Sequence, residues 1–248
     1  MSEPILKRDE KGLYLTDGSL VLRADFCEMK DRIRQANLER ELLVKAVSVK
    51  GSRGSLKVLD ATAGLGEDAF LLAAAGFDVS MYEQDEVIAA LLEDALNRAL
   101  EADNEECTEA VRDAASRLHL TKGDSIEAMR SMAGQTCKVA KADLISGLEN
   151  NIHSCSTPVR PFDVIYLDPM FPGRKKSAAV KKKFQLLQLL ECPEMREDEL
   201  LEAAISLHPL KVVIKRPVKG PFLSDIKPDH SVKGNSVRYD VVIPRIYM

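Results

Sequence analysis

Short apolar runs alternate with longer amphipathic stretches along most of this 248-residue sequence. Apolar runs of about four to eight residues are typical of buried strands, whereas apolar positions recurring every three or four residues indicate helices. The runs predict strands over residues 56–59, 77–82, 118–125 with its turn, 162–167, 211–217 and 237–243, the last at an antiparallel edge. The stretches between them predict helices over residues 68–76, 87–100, 125–133, 184–190 and 198–207. This alternation predicts an α/β fold with a doubly wound, mostly parallel sheet.

The first 50 residues follow a different pattern and predict a small extension before the main domain, which we assign to residues 51–248. Leucines alternate with polar residues on both sides of Asp17-Gly18, which predicts a β-hairpin over residues 1–24. Residues 25–50 carry apolar side chains at helical spacing and predict a helix that lies before the sheet.

Two polar stretches interrupt the alternation of strands and helices. Residues 101–117 are acidic with weak helical periodicity, and we interpret them as a solvated face, an insertion or exposed helix being the alternative. Residues 135–161 mix Cys, Ser, Asn and Gly with a short apolar patch, and they predict a long loop or small insertion.

The turn after the first strand of the main domain has a distinctive spacing. Asp60 ends the strand, and Thr62, Gly64 and Gly66 follow at every second position before the helix begins at Asp68. Glycine permits close approach of the backbone to a ligand, and a helix N-terminus offers N–H groups without intrahelical partners. The spacing therefore predicts a nucleotide-binding cradle. It matches neither the dinucleotide-binding G-x-G-x-x-G nor a P-loop, and a plain turn in another α/β protein is the alternative.

Four of the predicted strands end in or beside an acidic residue, namely Asp60, Glu83, Asp124 and Asp168. The carboxyl ends of parallel strands meet at one edge of the sheet, where ligands bind. Glu83 is predicted to accept the ribose hydroxyls of an adenosyl group, the alternative being an acid that the helix dipole favours. Asp124, followed by Ser125, is predicted to accept the adenine amino group, to cap the next helix, or to do both.

The loop Asp168-Pro169-Met170-Phe171-Pro172 resembles the Asp/Asn-Pro-Pro-Tyr/Phe loop of enzymes that methylate exocyclic amino groups. Such a nitrogen is a poor nucleophile because its lone pair is delocalised into the ring. Asp168 and the carbonyl of Pro169 can accept its N–H bonds and hold the lone pair toward a sulfonium methyl group. Phe171 can stack on a flipped base. A simple turn with an aspartate cap is the alternative.

This loop also argues against two other chemistries. Methylation of a base carbon requires a cysteine nucleophile, whereas position 170 is methionine. Methyl transfer from a sulfonium requires no metal, because the sulfonium itself activates the methyl group.

A run of basic residues follows the loop directly. It contains Arg174, Lys175, Lys176, Lys181, Lys182 and Lys183. Such a run can be a solvated helix face, but beside a base-binding loop it favours a surface that follows nucleic-acid phosphates. Lys215 and Arg216, at the end of the fifth strand, are predicted to add charge to the same rim.

The composition limits the remaining possibilities. The net charge is −4, so nucleic-acid binding must come from a local patch. The five cysteines show no C-x-x-C spacing, and with four histidines they predict neither a disulfide framework nor a zinc site. No apolar run is long enough to cross a membrane, and no signal peptide is recognisable, so we expect a protein of the reducing cytoplasm.

Taken together, four segments resemble the RsmJ (YhiQ) family, and the resemblance spans roughly residues 5–243. They are Asp60-Ala61-Thr62-Ala63-Gly64-Leu65-Gly66, Tyr166-Leu167-Asp168-Pro169-Met170-Phe171-Pro172, Lys175-Lys176-Ser177-Ala178 and Val213-Ile214-Lys215-Arg216-Pro217. That family methylates a guanine N2 in bacterial small-subunit ribosomal RNA with S-adenosylmethionine. The resemblance implies a seven-stranded class I methyltransferase sheet and an RNA or small-subunit partner, with no metal. It also implies a cofactor site that includes Glu67, Asp68, Glu83, Gln84, Asp124, Ser125 and Asp168.

Departures from the family concern the surfaces expected to dock RNA. The N-terminal segment is shorter, residues 34–40 replace a glycine-rich basic stretch, and residues 135–161 form a longer segment. The alternatives are a methyltransferase of the same fold acting on adenine, a protein or a small molecule, and a catalytically silent RNA-binding module. A nicotinamide-dependent oxidoreductase is disfavoured by the glycine spacing.

Overall fold

The computed structural model describes residues 3–52, 55–101, 107–146, 160–169, 186 and 196–244, with the backbone alone for 136–146 and 225. The chain begins with a small antiparallel sheet of β1 (Ile5–Asp9), β2 (Gly12–Thr16) and β3 (Val21–Leu22). A 3₁₀ turn (Cys27–Met29) and the short helices α1 (Gln35–Leu38) and α2 (Leu42–Val47) follow.

The main sheet contains β4 (Lys57–Asp60), β5 (Asp78–Glu83), β6 (Leu118–Lys122), β7 (Val164–Leu167), β8 (Lys211–Pro217), β9 (His230–Lys233) and β10 (Val237–Val242). The helices are α3 (Glu67–Ala74), α4 (Glu86–Glu101), α5 (Glu109–Ala115), α6 (Ser125–Ser146) and α7 (Glu197–Ser206). A second 3₁₀ turn covers Leu223–Asp225.

The seven strands lie in the order β6-β5-β4-β7-β8-β10-β9. The five strands from β4 to β8 are parallel, whereas β10 runs antiparallel to both β8 and β9. The chain moves outward from β4 to β6 and then returns to form β7 and β8 on the other side of β4. The predicted doubly wound, mostly parallel sheet of seven strands is thus confirmed. Its topological switch point lies between β4 and β7, where sheets of this kind bind ligands.

Alternate residues of the central strands enter two apolar cores. In β7, Val164 and Tyr166 face the core that contains α3, α4 and α5, whereas Ile165 and Leu167 face the core that contains α6 and α7. The near-continuous burial of β7 is typical of a parallel strand covered on both faces.

The N-terminal residues differ in part from the sequence-based prediction. The hairpin about Asp17-Gly18 is present as β2 and β3, but β1 adds a third strand. The single helix over residues 25–50 is wrong, because α1 begins only after Arg34 and the extended backbone at Glu41 separates α1 from α2. The apolar stripe of this region is nevertheless buried in the core beside α3, where the rings of Phe26 and Phe70 stack with centroids 4.6 Å apart.

The interpretation of residues 101–117 as a solvated face is wrong in its described part. Helix α5 buries Val111, Ala114 and Ala115, and the Thr108 hydroxyl caps its N-terminus.

Cys107 forms a disulfide bond with Cys27, 80 residues earlier in the chain. The sequence, which predicted no disulfide framework, did not reveal this one bond. Tertiary packing brings these two cysteines together, and local spacing carries no signal for it.

Three other expectations end differently. Residues 135–146 continue α6 and are no loop, because their Ala, Lys and Leu residues favour a helix, while residues 147–159 lie outside the described part. The edge strand is β9, which pairs with β10, so β10 lies inside the sheet. The helix predicted over residues 184–190 lies outside the described part apart from Leu186.

Candidate active site

The turn between β4 and α3 closes through backbone and side-chain contacts. Asp60 is buried, and its Oδ1 accepts the N–H of Thr62 at 3.0 Å. Gly64 and Gly66 both have positive φ angles, of 54° and 77°, which favour glycine. A Cβ atom on Gly66 would lie 2.5 Å from Leu92 Cδ1, whereas a Cβ atom on Gly64 would have no neighbour within 4 Å. Gly66 is therefore required by packing, and Gly64 borders open space at the switch point.

Glu83 ends β5 beside this turn. Its Oε2 accepts the N–H of Gly64 at 2.8 Å, and its Oε1 accepts the N–H of Asp85 at 2.8 Å. Burial raises the pKa of Glu83 above its ordinary value. A carboxylate offers about four acceptor positions, so each oxygen can accept one further hydrogen bond. Glu83 therefore holds the turn and can also bind hydroxyl groups, while the side chain of Gln84 is exposed.

Asp124 follows β6 and begins α6. Its Oδ1 accepts the N–H of Ile126 at 2.7 Å, and its Oδ2 accepts a hydrogen bond from Arg196 at 2.7 Å. Burial works against ionisation of Asp124, but the hydrogen bonds from Arg196 and from the backbone N–H groups of Ile126 and Glu127 together outweigh it, so the pKa lies below its ordinary value. The capping role predicted for Asp124 is thus confirmed, and Ser125 is buried next to it. Sequence reasoning missed Arg196, which precedes α7.

Asp168 follows β7 on the other side of the switch point. Its backbone N–H donates to Thr62 Oγ1 at 2.7 Å, which joins the end of β7 to the turn after β4. Its side-chain Oδ2 lies 2.8 Å from Nζ of Lys215. Pro169 is buried. Pro169 is the last residue of this described range, so Phe171 and the basic residues 174–183 lie outside the described part of the chain.

Lys215 also pairs with Asp68 in the first turn of α3, at 2.5 Å between Nζ and Oδ2. The same Asp68 oxygen accepts the hydroxyl of Tyr166 at 2.6 Å. Burial opposes ionisation of Asp68, but the charge and hydrogen bond of Lys215, together with the hydrogen bond from Tyr166, outweigh it and lower the pKa of that carboxyl. Burial also opposes protonation of Lys215, but Asp168 and Asp68 raise its pKa far above the ordinary value. Lys215 is therefore a permanent ammonium between two carboxylates.

Asp60 lies in the same cluster but differs in its protonation. Burial, with a further contribution from the charges of Asp68 and Asp168, raises the pKa of Asp60 to about 8. At neutral pH Asp60 is accordingly mostly protonated. Glu67, which precedes Asp68, is exposed at the start of α3.

The structure corrects two predicted RNA contacts. Lys215 points inward to Asp68 and Asp168 and does not reach the outer rim. Arg216 has a side chain only 1% exposed and pairs with Glu197 at 3.0 Å, so it cannot present charge to a ligand either. Sequence reasoning also missed Tyr166 as a site residue. For Lys215, the available signal was the register of β7 against β8. Leu167 pairs with Ile214, so the next residues along the two strands are Asp168 and Lys215.

Two kinds of feature are absent from the residues that the structure describes. Within them, no grouping of His, Cys, Asp and Glu could hold a metal ion. No helix in the same ranges is both long and apolar enough to cross a membrane.

The geometry fits an S-adenosyl cofactor. Gly64 leaves open space beside the backbone, where a larger side chain would project. Glu83 retains acceptor positions for two ribose hydroxyls, and Asp124 stands at the next strand end. The first turn of α3 adds N–H groups without intrahelical partners. These residues lie on the β4, β5 and β6 side of the switch point, next to Asp168.

Comparisons with known proteins agree with this geometry. Residues 4–244 match a family model described as "Putative SAM-dependent methyltransferase". The chain is 38% identical to a ribosomal RNA small subunit methyltransferase J of Pseudomonas fluorescens over 95% of this chain and 81% of that relative. It is 37% identical to the protein of the same name from Pseudomonas aeruginosa, over 94% of this chain and 79% of that one.

A solved structure extends the agreement to the fold. The crystal structure of a SAM-dependent methyltransferase from Neisseria gonorrhoeae is similar with a TM-score of 0.68 and 28% identity, over 98% of this chain and 84% of that one. The fold is thus that of a solved SAM-dependent methyltransferase. The chain belongs to the SAM-dependent methyltransferase family that includes the ribosomal RNA small subunit methyltransferases J.

Proposed function

We propose that this protein transfers a methyl group from S-adenosylmethionine to the exocyclic N2 of a guanine in small-subunit ribosomal RNA. The observation that carries the proposal is the position of Asp168, which leaves β7 directly beside the glycine turn and is held there by Thr62 and Lys215. The names of the relatives support ribosomal RNA as the substrate. The Asp168–Pro172 loop, which resembles loops of amino-group methyltransferases, supports an exocyclic nitrogen as the acceptor.

Three residues would hold the cofactor. Glu83 would accept the ribose hydroxyls, Asp124 the adenine amino group, and Gly64 would let the backbone approach the donor closely. The bound cofactor supplies a methyl group that is already activated by the positive sulfur. Asp60 and Thr62 shape the turn around it.

Asp168 and the Pro169 carbonyl would accept the N–H bonds of the guanine amine. These hydrogen bonds orient the amine and turn its lone pair toward the methyl group, which is a contribution of positioning. The ring of Phe171 would stack on the base once it is flipped out of the RNA. The assignments to Pro169 and Phe171 rest on the loop sequence.

The basic residues from Arg174 to Lys183 would bind RNA phosphates. Lys215 and Arg216 do not belong to this surface, because both are engaged inside the protein. We place the reaction in the cytoplasm, where ribosomal subunits are found.

Transfer of labelled methyl groups tests the proposal. Purified protein is incubated with labelled S-adenosylmethionine and total RNA from cells that lack the protein, and the RNA is then digested to nucleosides. We expect label in N2-methylguanosine that derives from small-subunit RNA. Label in N6-methyladenosine, or in protein or small molecules alone, would contradict the guanine assignment and identify that class of molecule as the methyl acceptor. Cofactor and RNA binding without any transfer would indicate a silent RNA-binding module.

A further inference from the structure

We propose that Lys215 is a positioning residue for methyl transfer, which holds one oxygen of Asp168 and leaves the other oxygen to receive the acceptor amine. The inference rests on the proposed function, in which Asp168 orients that amine. Its geometric basis is the contact of 2.8 Å between Lys215 Nζ and Asp168 Oδ2. Oδ1 of Asp168 is not part of this contact.

The fold builds this contact from two neighbouring parallel strands. Leu167 of β7 pairs with Ile214 of β8, so Asp168 and Lys215 leave their strands side by side. The Asp168 backbone is fixed separately, through its N–H bond to Thr62 Oγ1. With backbone and carboxylate both held, the orientation of Asp168 is set before a substrate binds.

Asp68 fixes the lysine from the opposite side. Lys215 Nζ lies 2.5 Å from Asp68 Oδ2, which also accepts the hydroxyl of Tyr166. The side chains are only 16% exposed for Lys215 and 19% for Asp68, whereas Asp168 is 27% exposed and is the most accessible of the three. Contacts with two carboxylates on opposite sides therefore hold the Lys215 ammonium inside the protein. Among these three described side chains, Asp168 is therefore the one most open to a ligand.

The charges of the cluster explain why an ammonium is required. Asp68 and Asp168 together carry two negative charges, and Lys215 supplies one positive charge. Among the residues that the structure describes, further titratable or charged groups that interact with these three are Asp60, Tyr166, Tyr239 and Arg32. Asp60 is mostly neutral at pH 7, and burial keeps both tyrosines protonated. Lys215 is therefore the cation in direct contact with both carboxylates.

This arrangement predicts what happens without the ammonium. Two nearby carboxylates with no shared cation repel each other, so one of them binds a proton at higher pH. If Asp168 is the one protonated, it loses acceptor capacity toward the amine. Methyl transfer would form the N–C bond as the S–C bond breaks and would release one amine proton, which Asp168 or solvent would take. Lys215 itself stays protonated and neither takes nor gives that proton.

The test uses Lys215→Met, Lys215→Gln and Lys215→Arg in the full-length protein. Lys211→Met is the matched control, because Lys211 lies on the same strand and donates to the carbonyls of Ala46 and Ser48, away from the site. At saturating cofactor and RNA, we expect Met and Gln to lower the single-turnover rate by about 10- to 100-fold, the range expected when an orienting group is removed. Cofactor affinity should stay within about threefold of wild type, a change of less than 1 kcal/mol.

Two readouts separate positioning from simple stability. The acid limb of the rate–pH profile should move to higher pH in the Met and Gln variants, and Lys215→Arg should restore most of the rate. Carbon-detected NMR titration of the aspartate carboxyl groups should show one group binding its proton at higher pH in Lys215→Gln than in wild type. This titration requires no RNA, so it decides the role of Lys215 even if the RNA substrate is wrong.

The opposing outcomes are distinct. Equal losses in Met, Gln and Arg variants, with an unshifted acid limb and an unchanged carboxyl titration, would overturn the proposal and leave Lys215 as a packing residue. Absence of methyl transfer by the wild type, together with the expected titration shift, would refute the proposed function and not the charge arrangement. Should Lys215→Met fail to fold, Lys215→Gln, which keeps a hydrogen-bond donor, provides the same comparison.

Discussion

The two halves of the crevice hold their carboxylates by different means. In the donor half, which we define as Gly64, Glu83 and Asp124, both carboxylates accept backbone N–H groups that follow the strands, and Asp124 alone adds a side-chain partner, Arg196. In the acceptor half, defined as Asp68, Tyr166, Asp168 and Lys215, they are held by side chains. There the partners of Asp68 are 98 and 147 residues away in sequence.

This difference matches two different tasks. Backbone N–H groups do not titrate, and they leave acceptor positions on Glu83 for the hydroxyls of a neutral ribose. The Lys215 ammonium instead sets both the charge and the direction of the Asp168 carboxylate. We therefore expect changes in the donor half to alter cofactor affinity and changes in the acceptor half to alter the rate of transfer.

Gly64→Val should have the largest effect on binding. Its side chain would project into the open space beside the turn, and we expect cofactor binding to fall below detection by calorimetry. Gly18→Val is the control, since Gly18 also has a positive φ and no neighbour within 4 Å but lies in the turn between β2 and β3. Both changes cost roughly 1–3 kcal/mol of folding free energy through backbone strain. A difference in cofactor affinity between the two variants therefore reports on the binding site and not on strain. Unchanged affinity in folded Gly64→Val would place the cofactor elsewhere.

Asp168→Ala should have the largest effect on chemistry. Loss of the oriented acceptor should lower the single-turnover rate by about 10²-fold or more. Because Asp168 belongs to the acceptor half, we also expect this loss of rate to persist at every cofactor concentration. Asp163→Ala is a control on the same segment, because the Asp163 side chain accepts the backbone N–H of Lys57 at the opposite end of β7. A wild-type rate in Asp168→Ala would remove the Asp168–Pro172 loop from the active site.

Glu83→Ala should weaken cofactor binding by roughly 1.5–3 kcal/mol, the scale of a hydrogen bond to a charged group. This corresponds to an increase in Kd of roughly 10- to 150-fold. Glu86→Ala, at an exposed position of α4, should leave the Kd unaltered. Titration calorimetry measures both variants. A change of only a few tenths of a kcal/mol would mean that Glu83 holds the turn and does not contact the cofactor.

The smallest effect is expected outside both halves, in the basic run. Replacing Lys181, Lys182 and Lys183 by Gln should weaken RNA binding and reduce the slope of log K against log salt by roughly 0.7–0.9 for each phosphate that the variant no longer binds. Cofactor affinity should not change. A triple replacement of the exposed Lys7, Lys11 and Lys50 by Gln changes the net charge equally and serves as control. The same slope in both triple variants would make the run an ordinary solvated surface.

The contrast between the halves also explains how far the sequence was informative. The parallel strands, the glycine turn and the capping role of Asp124 depend on local patterns, and all three agree with the structure. Glu83 was identifiable as a strand end, although its bond to the Gly64 N–H was not predicted. These features need only a run of apolar residues and the residue that ends it.

The failures at the site and at α5 involve long-range contacts, whereas the single helix over residues 25–50 and the loop over residues 135–146 were errors in local pattern. Lys215 and Arg216 are adjacent basic residues, but strand alternation sends one to Asp68 and Asp168 and buries the other beside Glu197. The Cys27–Cys107 bond and the burial of α5 likewise depend on packing between distant segments. Charge alone suggested a solvated rim for Lys215, whereas the register of β7 against β8 indicates the pairing that forms.

The most direct test compares Glu83→Ala and Asp168→Ala in single-turnover methyl transfer to small-subunit RNA as the cofactor concentration is raised to saturation. The account predicts that excess cofactor restores the Glu83→Ala rate to near that of wild type, while Asp168→Ala stays slower by about 10²-fold or more. If excess cofactor restored both variants, or neither, binding and positioning would not be divided between the two halves of the crevice.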